Sequence, residues 1–155
     1  MIVYPSIFEK TLLPSLGKTA KLSGYYFNDT FHENGIDLSI EQWLILKKLK
    51  DEDGQTQNEL AFITNRSKTS LTRLINTMEK KDLVYRELCK QDKRINHIHL
   101  STLGKDVFNN SLPVLEKIMK ELQDNISSED LVKTIMVLDQ IQNNIIKKIN
   151  FDINK

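Results

Sequence analysis

The chain has 155 residues, 39% of them hydrophobic and 28% charged, with a formal net charge of +1. That is the size of one ordinary domain, or of a small module with dimerising helices added, and the composition argues against global disorder. No apolar run approaches the ~20 residues of a membrane span, residues Met1 to Ser6 lack the basic and apolar regions of a secretory signal, and the single cysteine, Cys89, cannot form an intramolecular disulfide, so a cytoplasmic protein with no membrane partner is expected.

From Ser6 to Asn34 the pattern predicts a helix, with Ile7, Phe8, Leu12, Leu13, Leu16, Leu22, Tyr25, Tyr26 and Phe31 as candidate core residues. Pro14 should kink or restart it, and Asn34-Gly35 should stop it, because glycine takes the left-handed conformation without penalty. Ser39 to Gln42 has the form of a capping box and opens a second helix with Trp43, Leu44, Leu46 and Leu49 on its apolar side. Asp51 to Gly54 reads as a turn. A second capping box, Thr56 to Glu59, opens a short helix through Leu60, Ala61, Phe62 and Ile63. Asn65 to Ser67 breaks it, and Ser67 caps a helix over Lys68 to Lys81. Two short helices joined by a tight polar turn match the helix-turn-helix pattern. The period then changes. Leu83 to Lys90 and Ile95 to Leu100 read as strands, and Gln91 to Arg94 joins them as the charged tip of an antiparallel hairpin. Ser101-Thr102 caps the next helix, with Leu103, Val107, Phe108, Leu112, Leu115, Ile118, Met119 and Leu122 apolar and Pro113 expected to bend it. Ser127-Ser128 starts the last helix, where Leu131, Ile135, Leu138, Ile141, Ile145 and Ile149 recur at three- and four-residue steps. No internal repeat or low-complexity tract interrupts this order. The expected fold is mainly α with a small β-hairpin wing.

Charge is unevenly placed along these elements. All four arginines, Arg66, Arg73, Arg86 and Arg94, fall within 29 residues. Between Glu59 and Arg94, nine Lys/Arg face five Asp/Glu, whereas the rest of the chain has 13 against 16. A basic middle between mildly acidic ends points to double-stranded DNA as a partner, since arginine grips phosphates and base edges well. On a helical wheel Leu71, Leu74, Ile75 and Met78 form one narrow stripe. The opposite face carries Thr69, Arg73, Asn76 and Lys80, flanked by Thr72 and Thr77, with Ser67, Lys68 and Ser70 at the helix N-terminus. A recognition helix needs this apolar back and polar, cationic front. Any exposed helix face looks polar, but a hairpin with Asp92, Lys93 and Arg94 at its tip, directly after a helix-turn-helix, is the layout of a winged helix. An arginine at such a tip suits a narrow minor groove.

In this order and spacing the chain resembles the MarR (multiple antibiotic resistance regulator) family of bacterial transcription factors. Asn58 to Ala61 is similar to the family's entry into the helix-turn-helix, Ser67 to Leu74 to the start of its recognition helix, and Met78 to Arg86 to its passage into the wing. Asp92 to Arg94 matches its D-x-R wing tip, and Leu100 to Lys105 its exit into the next helix. The resemblance implies an obligate homodimer built by interlocking terminal helices: 1–38 as an N-terminal dimerisation region, 39–101 as the winged helix-turn-helix, and 102–155 as C-terminal dimerisation helices. It implies that Thr69, Ser70 and Arg73 face the major groove, that Arg94 probes the minor groove, and that Asp92 holds the wing or orients an arginine. The candidate DNA-binding set is Arg66, Ser67, Lys68, Thr69, Ser70, Thr72, Arg73, Asn76, Lys80, Asp92, Lys93 and Arg94. Two departures stand out. Asp82 occupies the position where the family usually has glycine, which aspartate tolerates better than most residues. Ile95 and Asn96 replace charged residues after the tip, leaving minor-groove contact mainly to Lys93 and Arg94.

A ligand-responsive repressor on a pseudo-palindromic operator is therefore expected, with a small-molecule effector in the crevice between dimer helices and winged domain. Trp43, Tyr25, Tyr26 and Phe27 are candidate lining for that crevice, or plain core. Cys89, on a wing strand, reads as a small buried hydrophobe rather than a redox sensor. His97 and His99 share one strand face, but metal sites need three or four ligands, so they read as polar sheet residues and no metal is expected. No cofactor motif and no catalytic set is evident, so an enzyme is not expected. The alternative function is a winged-helix module that binds protein instead of DNA.

Overall fold

Helix starts in this chain coincide with side chains that can cap them. In a computed structural model, which describes residues 12–64, 67–89 and 95–149, the order is α1 (Leu12–Glu33), α2 (Ile40–Asp51), β1 (Gln55–Thr56), α3 (Gln57–Ile63), α4 (Lys68–Lys80), β2 (Val84–Leu88), β3 (Asn96–Leu100), α5 (Thr102–Leu122) and α6 (Ser128–Ile149). Ser39 and Thr56 both complete reciprocal capping boxes, with Gln42 and Glu59 respectively. Ser67 accepts from the Ser70 N–H at 3.2 Å, Ser101 from the Gly104 N–H at 2.8 Å and Ser127 from the Asp130 N–H at 3.1 Å. Each cap satisfies an amide that the first helical turn leaves without a partner.

The helix stops are equally local. At the end of α1, Gly35 has φ +72°, its N–H reaches the His32 carbonyl, and the Ile36 N–H reaches the Phe31 carbonyl at 2.9 Å. This is a Schellman closure. The end of α4 repeats it with Asp82 at φ +54°, whose N–H bonds Glu79 O at 2.9 Å while Leu83 N–H bonds Met78 O at 3.0 Å. Aspartate thus stands in the left-handed position that the sequence predicts for it. Pro14 is the third residue of α1, in the first turn, where the missing N–H leaves no helical bond unmade. Pro113 lies inside α5, which runs through it from Thr102 to Leu122.

The hairpin β2–β3 is antiparallel, with Val84 opposite Leu100 and Leu88 opposite Asn96. The strands are shorter than the sequence suggests, and a third strand joins them. β1 pairs with the other edge of β3, Gln55 opposite Ile98, giving the order β1-β3-β2. Residues expected only to leave a turn and enter a helix therefore stitch the wing to the helix-turn-helix.

One core joins these elements. Phe27 and Phe31 from α1, Trp43, Ile45, Leu46 and Leu49 from α2, Leu71, Ile75 and Met78 from α4, and Phe108 and Ile118 from α5 are all buried. The Trp43 ring stacks on Phe108 with centroids 5.4 Å apart and meets Phe27 edge-on at 6.2 Å. Its Nε1–H donates to Ser111 Oγ at 2.9 Å, and Ser111 donates onward to the Phe108 carbonyl at 2.6 Å. Several expected core residues are not in it. Leu12, Leu13, Leu22, Tyr25 and Tyr26 of α1 are exposed, as are Leu103, Leu112, Met119 and Leu122 of α5 and Ile135 and Ile145 of α6. The periodicity identified these apolar stripes, but a single chain has nothing to cover them. Phe27, one residue beyond the expected pair Tyr25–Tyr26, is the ring that goes in. Ile7 and Phe8 lie outside the described residues.

Candidate nucleic-acid interface

The stripe Leu71, Ile75 and Met78 is fully buried and Leu74 half-buried, so α4 is anchored by one face. The opposite face is left to solvent. Thr69, Thr72, Arg73, Asn76 and Lys80 are exposed, as are Ser67 and Lys68 at the N-terminus, and Ser70 is half-buried. These candidates thus gather on one surface. Arg66, Asp92, Lys93 and Arg94, with the rest of the wing tip, lie outside the described residues.

Neighbouring bonds fix part of this face. Thr72 donates to the Lys68 carbonyl at 2.8 Å and accepts from Gln57 Nε2 at 3.1 Å, which ties α3 to α4 across the turn. Thr77 donates back to the Arg73 carbonyl at 3.0 Å. Between α3, the start of α4 and the wing base lies a cavity of about 280 Å³, lined by Thr56, Gln57, Asn58, Lys68, Thr72, Ile95 and Asn96. Its donors and one lysine suit an anionic backbone.

Arg86, one of the arginines of the basic segment but not of the candidate set, turns into the fold. From β2 it pairs with the Glu79 carboxylate of α4 and donates through Nη2 to Asn76 Oδ1 at 2.8 Å. One of the four arginines is therefore engaged within the fold. Periodicity within either element gives no sign of this strand-to-helix clamp.

The wing base is held by two histidines. His97 Nδ1 lies 2.8 Å from the Gly54 carbonyl, and His99 Nδ1 lies 3.0 Å from the Asp53 carboxylate, whose other oxygen accepts the Leu100 N–H at 2.7 Å. The His99 ring also stacks on Tyr85, centroids 5.2 Å apart. Burial pushes the Asp53 carboxyl up, but the Leu100 amide, His99 and the Gly54 amide outweigh it and hold the group below its ordinary value. Hydrogen bonding to Cys89, then to the Gly54 carbonyl, raises His97 above its ordinary value. Cys89 is half-buried against that histidine, not the buried hydrophobe expected. Both histidines face the Asp53–Gly54 turn, in keeping with their reading as polar sheet residues. Among the described residues no three His, Cys, Asp or Glu side chains converge as a metal site.

Trp43 and Phe27 are core, whereas Tyr25 and Tyr26 are exposed. The Tyr26 hydroxyl instead bonds the Glu121 carboxylate, which raises its pKa. A different cavity, about 500 Å³, lies where the end of α1, the end of α4 and the start of α5 meet. Gly35, Ile36, Asp37, Lys81, Leu83, Leu103, Val107 and Asn110 line it. Across it Lys81 pairs with the Asp37 carboxylate at 2.7 Å.

A helix-turn-helix followed by an antiparallel hairpin whose third strand is the approach to that motif defines a winged helix-turn-helix protein. Residues 38–95 match the model of the MarR family. The winged core is thus similar to that family, and solved structures share the fold along most of the chain's length. AbsC, a MarR family transcriptional regulator from Streptomyces coelicolor, superposes with a TM-score of 0.78 at 22% identity, over 93% of this chain and 98% of that one. MepR from S. aureus, solved with DNA, gives 0.76 at 22% identity over 86% and 98%. BpsR from Bordetella bronchiseptica, whose DNA binding is regulated by 6-hydroxynicotinic acid, gives 0.79 at 16% over 89% and 97%.

Proposed function

We propose that this chain is a homodimeric DNA-binding transcriptional regulator that acts as a ligand-responsive repressor on a pseudo-palindromic operator. The observation that carries this reading is the α4 face: Thr69, Arg73, Asn76 and Lys80 stand exposed on a helix whose back is locked into the core by Leu71, Ile75 and Met78. Side chains on a rigid helix hold their geometry, as major-groove readout requires. Ser67, Lys68, Thr69, Ser70, Thr72, Arg73, Asn76 and Lys80 serve the major groove and its phosphates. Arg66, Asp92, Lys93 and Arg94 supply the turn and wing contacts, with Arg94 in the minor groove. The DNA complex of MepR supports this assignment.

The terminal helices α1, α5 and α6 form the dimer and leave the winged part to read DNA. The exposed apolar side chains of α1, α5 and α6 support this division. Release follows if a ligand prefers a dimer whose recognition helices are wrongly spaced. The 500 Å³ cavity suits such a ligand, with an apolar floor of Ile36, Leu83, Leu103 and Val107 and the Lys81 cation at its edge. Lys81 is the C-cap residue of α4, so a carboxylate that draws it from Asp37 would act on the recognition helix directly. The ligand-regulated DNA binding of BpsR supports a switch of this kind.

The test is fluorescence anisotropy against DNA flanking the chain's own gene, with scrambled duplex as control, at two salt concentrations. Selective binding that weakens with salt is expected. Absence of binding at low salt would favour the winged-helix protein-interaction module instead.

A further inference from the structure

Arg86 determines which atoms Asn76 can offer to a partner. The two α4 residues it holds, Asn76 and Glu79, lie three positions apart and so share a face. The Arg86 side chain is 22% exposed, and Glu79 neutralises its guanidinium through Nη1 while Nη2 donates to Asn76 Oδ1 at 2.8 Å. Arginine carries donors only. A flipped amide would set the Asn76 NH₂ against those donors, so chemistry fixes the oxygen toward Arg86. A free asparagine reads adenine with both atoms, its oxygen accepting from N6–H and its nitrogen donating to N7. One of the two lone pairs of the Asn76 oxygen is already engaged and its direction fixed by Arg86, so Nδ2, with two N–H donors, is the group best placed for a partner.

We infer that Asn76 is a specificity-determining residue that reads mainly as a donor, and Arg86 its positioning residue. The pair favours guanine, whose O6 and N7 both accept from Nδ2, over adenine, which offers N7 alone and sets its N6–H donor against an oxygen already turned to Arg86. This rests on the DNA-binding reading above and goes beyond it by assigning a base class to one contact.

The experiment is selection from a randomised duplex pool, followed by anisotropy on four duplexes that differ only at the base pair whose preference Asn76→Ala abolishes. The wild type is expected to favour guanine there by roughly five- to tenfold over adenine. Asn76→Asp, which keeps an oxygen on Arg86 and exposes a second acceptor, should move the preference to cytosine and its N4 donor. Arg86→Met should admit adenine, while Arg86→Lys, which retains a donor for Oδ1, should restore discrimination. Circular dichroism confirms that the variants are folded, and Asn76→Asp alters an exposed side chain, so the test stands even if Arg86→Met does not fold. If Asn76→Ala weakens binding but abolishes the preference at no base pair, the contact is to phosphate and the inference is overturned. Unchanged preferences in Asn76→Asp would also overturn it. If the wild type binds no DNA, the proposed function falls and this inference with it; selective binding indifferent to Asn76 removes the inference alone.

Discussion

A Cβ on Gly104 would lie 2.1 Å from the Leu83 carbonyl oxygen, so only glycine permits the first turn of α5 to pass that close to the end of α4. The same carbonyl accepts the Ser101 N–H at 3.2 Å. Gly104→Ala must move backbone, and a loss of about 3 kcal/mol in urea unfolding is expected, at the upper end of overpacking penalties; a change below about 0.5 kcal/mol would mean that the turn yields freely. At the DNA face the expected effects are electrostatic. Arg73→Ala, and Arg94→Ala at the wing tip, should each weaken binding to every duplex and lower the salt slope by about one. An unchanged slope would remove that arginine from the phosphate contacts. The α4 candidates were legible because a single helix wheel separates Leu71, Ile75 and Met78 from Thr69, Arg73, Asn76 and Lys80. Engagement of Arg86 by Glu79 and Asn76 was not legible, since it depends on how β2 lies across α4, and neither element's own pattern encodes that distance.

Among elements, the short strand β1 ties the turn before α3 to the wing, and side chains reinforce what two residues of ladder alone could barely hold. Asp53 is the centre of that tie. Its folded pKa is depressed, so its contribution is present above the ordinary carboxyl value of 3.8 and is lost as pH falls through the lower folded value. With the side chain 46% exposed, the contribution is about 1 kcal/mol, discounted from the range for charged hydrogen bonds. Thermal unfolding of Asp53→Asn should therefore show a deficit against wild type at neutral pH that shrinks toward zero in acid. Parallel curves at all pH values would exclude the tie. His97 has the opposite sign: its raised pKa favours the folded state at lower pH, and the gain is lost as pH rises through the raised value, above the ordinary 6.5. The wing base is thus tightest between these two limits. Its strand β1 escaped sequence reading because two residues cannot display an alternating period. The helix starts did not escape, since a cap is a local rule: Ser39, Thr56, Ser67, Ser101 and Ser127 each bond an amide three residues on.

At the scale of the molecule, the apolar residues that periodicity assigned to a core divide into two sets. Those of α2 and α4 are buried within the chain, whereas α6 has no buried residue among those described, and Val132, Ile135, Met136 and Val137 present apolar surface around much of its circumference. A helix apolar on several sides is normally buried. A sequence pattern states that a face is apolar but not which chain covers it, which is why Phe31 of the expected α1 core is buried here while Leu12, Leu13, Leu22, Tyr25 and Tyr26 of α1 and Ile135 and Ile145 of α6 stay exposed in the isolated chain. A second copy is the cover we propose, through an interface of roughly 2,000 Å² or more, as is usual for obligate dimers. Light scattering after size exclusion should then return twice the chain mass of 18.0 kDa at micromolar concentration. Met136→Glu, at a position 65% exposed in the single chain, places no charge in the chain's own core. It should leave the helical circular dichroism of the winged part and shift the mass to one chain. The same variant separates dimerisation from DNA contact. Two-fold symmetry sets paired recognition helices about 34–36 Å apart, one turn of DNA. A monomer keeps one reading head, so its affinity for the full operator should fall by roughly a hundredfold or more toward that for a half-site, as expected when a second contact ceases to be intramolecular. Wild type of monomeric mass, or a monomeric variant with undiminished operator affinity, would require each chain to act alone, and the exposed faces of α1 and α6 would then need a different partner.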